Sequence, residues 1–149
     1  MRNNDQTRLA GALLLLFGAA CLRGDSLAGH PDKVRNLVGT IGKGNAIEMR
    51  LTETPILRTE GSETFRVGTK YSGYYSYKRV GKRIQLSGLY NAQGMGGAVE
   101  DPTIEIEEFV DGKKTGVFIG HFSESGRYSG TWETWEPARK IPFRLTPKR

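Results

Sequence analysis

From Leu37 onward the chain is written in short runs that alternate apolar with polar residues, each closed by Gly, Asn, Asp or Pro. This period of two constrains the fold more than any other feature. Successive side chains of a strand point to opposite faces, so alternation gives one apolar and one solvated face. A helix would need apolar residues every three or four positions, and almost no such spacing occurs here. Ile47, Met49 and Leu51 alternate with Glu48, Arg50 and Thr52. Ile84, Leu86 and Gly88 alternate with Arg83, Gln85 and Ser87, and Ile104 and Ile106 oppose Glu105 and Glu107. Further strands are expected at 37–41, 64–79 (one bent strand or two, with Gly68 and Gly73 as bend points), 115–122, 128–135 and 141–145. Pro55 is expected to end the second strand, leaving room for a short helix within 53–63. Gly42–Asn45, Val80–Lys82, Asp111-Gly112 and Ser123–Gly126 read as turns, Asp-Gly being among the strongest hairpin signals. Residues 91–102 form the longest loop, and 136–140 a polar one.

Seven to nine short antiparallel strands joined by tight turns make a meander, and a meander of about eight must hide its two open edges. The expected fold is therefore all-β: a small up-and-down barrel, with a β-sandwich as the alternative. Trp132 and Trp135, three apart, face opposite sides of their strand, so one belongs to the core. Glycines inside the strand runs, such as Gly73, Gly88, Gly116, Gly120 and Gly130, either face inward and open a cavity or bend the strands around a filled core. The clean apolar alternation favours the filled core.

The phrases Leu86–Tyr90 (LSGLY), Lys114–Phe118 (KTGVF) and Tyr128–Trp132 (YSGTW) resemble the strand phrases of calycin-type barrels, the avidin-like and lipocalin-like group. Their spacing is also similar to that of small exported bacterial domains of uncharacterised function. The resemblance covers roughly residues 65–145 and rests on Gly and aromatic positions. It implies the barrel fold and carries no ligand-binding residues over.

The other organising feature is the apolar run Leu9–Ala20, preceded by Arg2 and Arg8 and followed by Cys21. Twelve residues are too few to span a bilayer, whose apolar core of about 30 Å needs ~20. A basic start, a short apolar stretch and small residues at its end are the parts of a secretory signal peptide. Residues 1–28 are read as that signal, 29–36 as a polar linker and 37–149 as the barrel domain. Two cleavage points compete. Gly18-Ala19-Ala20-Cys21 is similar to a bacterial lipoprotein box and would make Cys21 a lipidated first residue. Ser26-Leu27-Ala28 suits cleavage before Gly29 and a soluble product. The expected location is the cell envelope, periplasmic or outer-membrane associated if lipidated and otherwise secreted. With no second Cys, no intramolecular disulfide can form. Without residues 1–28 the chain keeps 19 Lys and Arg against 14 Asp and Glu, an excess read as solubilising charge rather than as a polyanion site.

Little in the chain carries chemistry. His121 with Ser123 and Glu124 sits in one strand and turn, where a nucleophile, base and orienter do not converge. No transition-metal or calcium-loop spacing occurs, so no metal or other cofactor is expected. Gly42–Gly44 and Gly94–Gly97 lack the fixed phosphate-loop patterns. The contact candidates are aromatic or apolar: Tyr71, Tyr75 and Tyr77 on one strand face amid Lys70, Lys78, Arg79, Lys82 and Arg83, together with Met95 in the long loop and Trp135. The favoured reading of the Tyr row is that it fills the barrel, with these cations on the rim opposite the solvated acidic face of Glu105, Glu107 and Glu108. Tyr interleaved with cations suits stacking on bases or sugars, but export argues against nucleic acid. These features point to a non-enzymatic exported barrel binding a small ligand or a protein of the envelope. An envelope hydrolase using Glu and His, or an inhibitor of a lysozyme or protease acting through residues 91–102, are the alternatives.

Overall fold

Residues 32–91 and 102–149 are described by the computed structural model. They form β1 (Lys33–Ile41), β2 (Asn45–Glu60), β3 (Glu63–Tyr77), β4 (Arg83–Asn91), β5 (Ile104–Val110), β6 (Lys113–Phe122), β7 (Tyr128–Trp135) and β8 (Ala138–Pro147). Each strand pairs antiparallel with the next, and β8 pairs back onto β1 from Leu37↔Pro147 to Ile41↔Phe143. The meander thus closes into an up-and-down barrel rather than a sandwich, with no helix among the described residues.

Several strand limits differ from the sequence reading. β1 starts at Lys33, within the segment expected as a linker, and Lys33–Asn36 pair with Glu53–Arg50. Arg35 lies in phase with Leu37 and Ile41 and meets Glu53, so this polar stretch has a use inside a strand. Pro55 does not end β2, and no helix occurs in 53–63. The β1 ladder stops at Lys33↔Glu53, so farther along β2 bonds only towards β3 among the described residues. A residue without an N–H is tolerated on such an edge. Residues 63–77 are one strand, bent at a bulge: Ile56 pairs with Gly68 and Leu57 with Arg66, leaving Val67 over. β8 begins at Ala138, which reduces the expected 136–140 loop to Glu136 and Pro137. Asp111 and Gly112 both adopt positive φ, 50° and 75°, the hairpin geometry that matches the twist of the flanking strands.

The alternation sets the core. Leu37, Ile41, Ile47, Met49, Leu51, Leu86, Ile104, Ile106, Phe118, Phe143 and Leu145 all point inward and are buried. Aromatic rings meet across the axis. Tyr75 of β3 packs edge-on against Phe118 of β6 with centroids 5.3 Å apart. Phe118 does the same to Phe143 of β8 at 5.2 Å, and Phe143 lies 4.8 Å from Tyr128. These rings fill the middle of the barrel. Strand glycines share the inward phase without leaving a cavity there, because the strands coil so sharply that neighbouring backbone occupies the space. A Cβ on Gly130 would lie 2.0 Å from the Ile119 carbonyl oxygen, and one on Gly120 2.3 Å from that of Ser129.

Trp132 is buried against Phe118, whereas Trp135 is half exposed. We therefore expect Trp132→Ala to lower the unfolding free energy by ~3–5 kcal/mol, the range for truncating a large buried aromatic. Trp135→Ala should cost far less in the same denaturant titration.

Candidate functional site

The tyrosine row, a contact candidate for which barrel filling is the favoured reading, is divided by the fold. Tyr71 and Tyr75 are core residues with almost no exposed surface, and Tyr77 is half buried at the rim. Their strand phase turns them into the barrel, so an exterior partner meets neither Tyr71 nor Tyr75. Tyr74, on the outer face, instead carries the Arg83 guanidinium 4.4 Å from its ring centroid. Trp135 keeps an accessible face, with the Lys114 ammonium 4.9 Å from its centroid. Cys21 and Met95 lie outside the described residues. His121 is exposed on β6 opposite Ser129, while Ser123 sits in the following turn, where its hydroxyl bonds Ser125 and the Arg127 amide. Among the described residues no group of three His, Cys, Asp or Glu converges as a metal site.

The feature missed by sequence reasoning is Glu108. Along the chain it stands beside Glu105 and Glu107, where three acids read as a solvated face. Glu107 does pair with Lys114 at the surface, but Glu108 is buried. Counting by twos from Ile104 through Ile106 arrives at Glu108, and that phase was the available signal. The Tyr75 hydroxyl donates to Glu108 Oε2 at 2.6 Å, Trp132 Nε1 donates to the same oxygen at 2.9 Å, and the Thr115 hydroxyl donates to Oε1 at 2.6 Å. The bulge between Glu108 and Phe109, where Glu108 pairs with Gly116 and Phe109 with Lys114, brings Thr115 within reach. The carboxylate therefore ties β3, β5, β6 and β7 together from inside. With three donors already engaged, its geometry is that of a structural hub rather than of a poised general base.

A second polar cluster lies at the end of the barrel where β1 begins. Arg35 and Glu53 form an ion pair, with Arg35 also 4.3 Å from the Phe122 ring centroid. Arg66 bonds the Thr69 hydroxyl and the Gly68 carbonyl. Burial, with Glu53 adding to it against the opposing Arg66 and Arg35, pushes the Tyr71 hydroxyl up to about 12. At the same end β2 and β3 run on past their neighbours. The β1 ladder stops at Glu53 and that of β4 at Gly68, so residues 54–67 form a two-stranded arm whose outer edges have no strand partner among the described residues. Leu57 shares one face with Arg66, and Phe65 shares the other with Arg58; Phe65 is exposed and Ile56 and Leu57 are half exposed.

No protein-family model, curated protein or solved structure matches the chain.

Two tests follow from the interior. Glu108→Ala strands the Tyr75 hydroxyl and the Trp132 indole N–H in the core, each costing about 1–3 kcal/mol. It should therefore destabilise more than Tyr75→Phe, which removes only one donor, when both are compared by denaturant unfolding. The second test concerns alkali. Burial raises the hydroxyls of Tyr71, Tyr75, Tyr77 and Tyr128 above their ordinary value of 10.0. A raised folded pKa gives stability that is complete below the unfolded value and is lost as pH climbs through the folded one. The denaturation midpoint should thus be flat in this respect below about pH 10 and fall steeply towards pH 12. Tyrosinate absorbance should appear together with unfolding.

Proposed function

We propose that this chain is an exported, non-enzymatic barrel of the cell envelope, akin to calycin-type barrels, that binds a protein partner through the β2–β3 arm. The observation that carries the reading is the arm itself. A ribbon of two strands is marginal in water on its own, yet this one extends beyond the barrel with Phe65 exposed and apolar residues on both faces. Its outer edges, unpaired among the described residues, offer backbone N–H and C=O groups to an extended segment of another chain, the recognition mode called strand addition. Support against an enclosed small ligand comes from the rings that meet across the axis. Support against hydrolysis comes from the saturated Glu108 and the outward, isolated His121. The signal-like segment before Gly29, with Cys21 as a possible lipid attachment point, supports the envelope as the compartment.

The test is site-specific photo-crosslinking in cells. A photoreactive residue at Phe65 should give one adduct of discrete mass, while the same residue at Leu89, an equally apolar and more exposed wall position, gives none. Binding of the partner so identified to purified protein should weaken at least about tenfold, or ~1.4 kcal/mol, in Phe65→Ser with the melting temperature unchanged. Equal adducts at both positions, or none at Phe65, would overturn the arm as the contact.

A further inference from the structure

In an up-and-down barrel every second connection emerges at the same end. One end here is built from the β1–β2, β3–β4, β5–β6 and β7–β8 turns. Residues 42–46, 78–83, 111–114 and 136–140 carry nine of the chain's 22 Lys and Arg, but only Asp111 and Glu136 of its 16 acids. The rest of the chain holds 13 basic and 14 acidic residues, so the entire positive excess resides at this end. All nine cations are exposed. Lys78, Lys114 and Lys140 reach back to Glu48, Glu107 and Glu133 on the wall. Lys43, Arg79, Lys82, Lys113 and Arg139 form no ion pair among the described residues.

The same rim carries two large apolar side chains that face water. Val80, at the tip of the β3–β4 turn, is 71% exposed and Trp135, at the end of β7, is 49% exposed. They stand four strands apart, on opposite sides of the ring. Beside Val80 opens a recess of about 360 Å³ floored by Tyr77 and Ala46. Beside Trp135 lies another of about 610 Å³, edged by Lys113, Lys114 and Thr115.

We propose that this end docks on an anionic phospholipid surface, with Val80 and Trp135 entering the headgroup layer and the Lys and Arg ring lying over the phosphates. Three observations select a membrane. The cations come from all four connections, so they match an extended plane and not a single groove. Two apolar tips on opposite sides of a ring can both touch a plane, whereas a linear polyanion would follow one side. An indole with its polar neighbours is the side chain best suited to the boundary between headgroups and acyl chains. Basic residues near an anionic bilayer each add to the attraction, and shallow apolar insertion adds to it independently. The proposal does not depend on the arm, which projects from the opposite end.

The test is sedimentation of the purified protein with vesicles of phosphatidylcholine alone or mixed with phosphatidylglycerol. Binding is expected only to the mixed vesicles, weakening as salt is raised. The double reversal Arg79→Glu with Lys82→Glu should lower the partition by roughly tenfold or more. Val80→Ser with Trp135→Ser should weaken vesicle binding but leave binding to soluble dextran sulfate unchanged. Tryptophan emission should shift to the blue on vesicles, and that shift should vanish in Trp135→Phe because Trp132 is already buried. No preference for the anionic vesicles overturns the proposal. So does vesicle binding that ignores Val80 and Trp135, which would mark a site for soluble polyanions. Equal loss on reversing Lys33 and Arg127, at the opposite end, would reduce the effect to net charge and overturn it as well.

Discussion

The barrel depends on the place of Phe118 at its axis. Its ring touches Tyr75 from β3, Trp132 from β7 and Phe143 from β8. A closed eight-stranded barrel has an interior only just wide enough for side chains, so rings of this size fit only where the wall gives way. Here it gives way at inward glycines, which let the strands coil until backbone meets backbone. Large rings and missing side chains are thus one device. Glu108 completes it, converting the aromatic N–H and O–H groups that would otherwise be unpaired in this interior into bonds across four strands. The exchange is conditional: the carboxylate is tolerable only because all three donors are present, and the donors only because it is.

Much of this was legible in the alternation. Eight strands, the closing of a meander, the opposed fates of Trp132 and Trp135 and the Asp111-Gly112 turn all follow from a period of two and from turn chemistry. Glu108 was obscured because three acids within four residues look like a solvated face, although the phase of Ile104 and Ile106 runs through it. The length of β2 was obscured by Pro55. A proline ends a strand that is paired on both sides, and among the described residues β2 there is paired on one. The positive end could not be seen at all along the chain. Its cations are spread over nearly a hundred residues and gather only once the connectivity sends alternate turns to one side.

That connectivity also separates tasks. One end gathers positive charge around two apolar tips. The other carries the polar cluster of Arg35, Glu53 and Tyr71 and the long β2–β3 arm. Neither end needs the barrel middle to be hollow. In the proposed reading the barrel is a spacer between two surfaces of different chemistry, with sites carried on a fold rather than implied by it.

The seam between β1 and β8 has a bearing on the chain's life before it is folded. Every other strand pair joins neighbours in sequence, so hairpins can form as the polypeptide emerges. The last ladder joins residues 37–41 to residues 143–147, and until β8 arrives the nascent sheet has two bare edges and half-made rings on one face. Without a disulfide to hold an intermediate, this is a state that invites pairing between copies. A chain of this design does best when kept extended until the whole of it is available, a condition that the proposed export would supply.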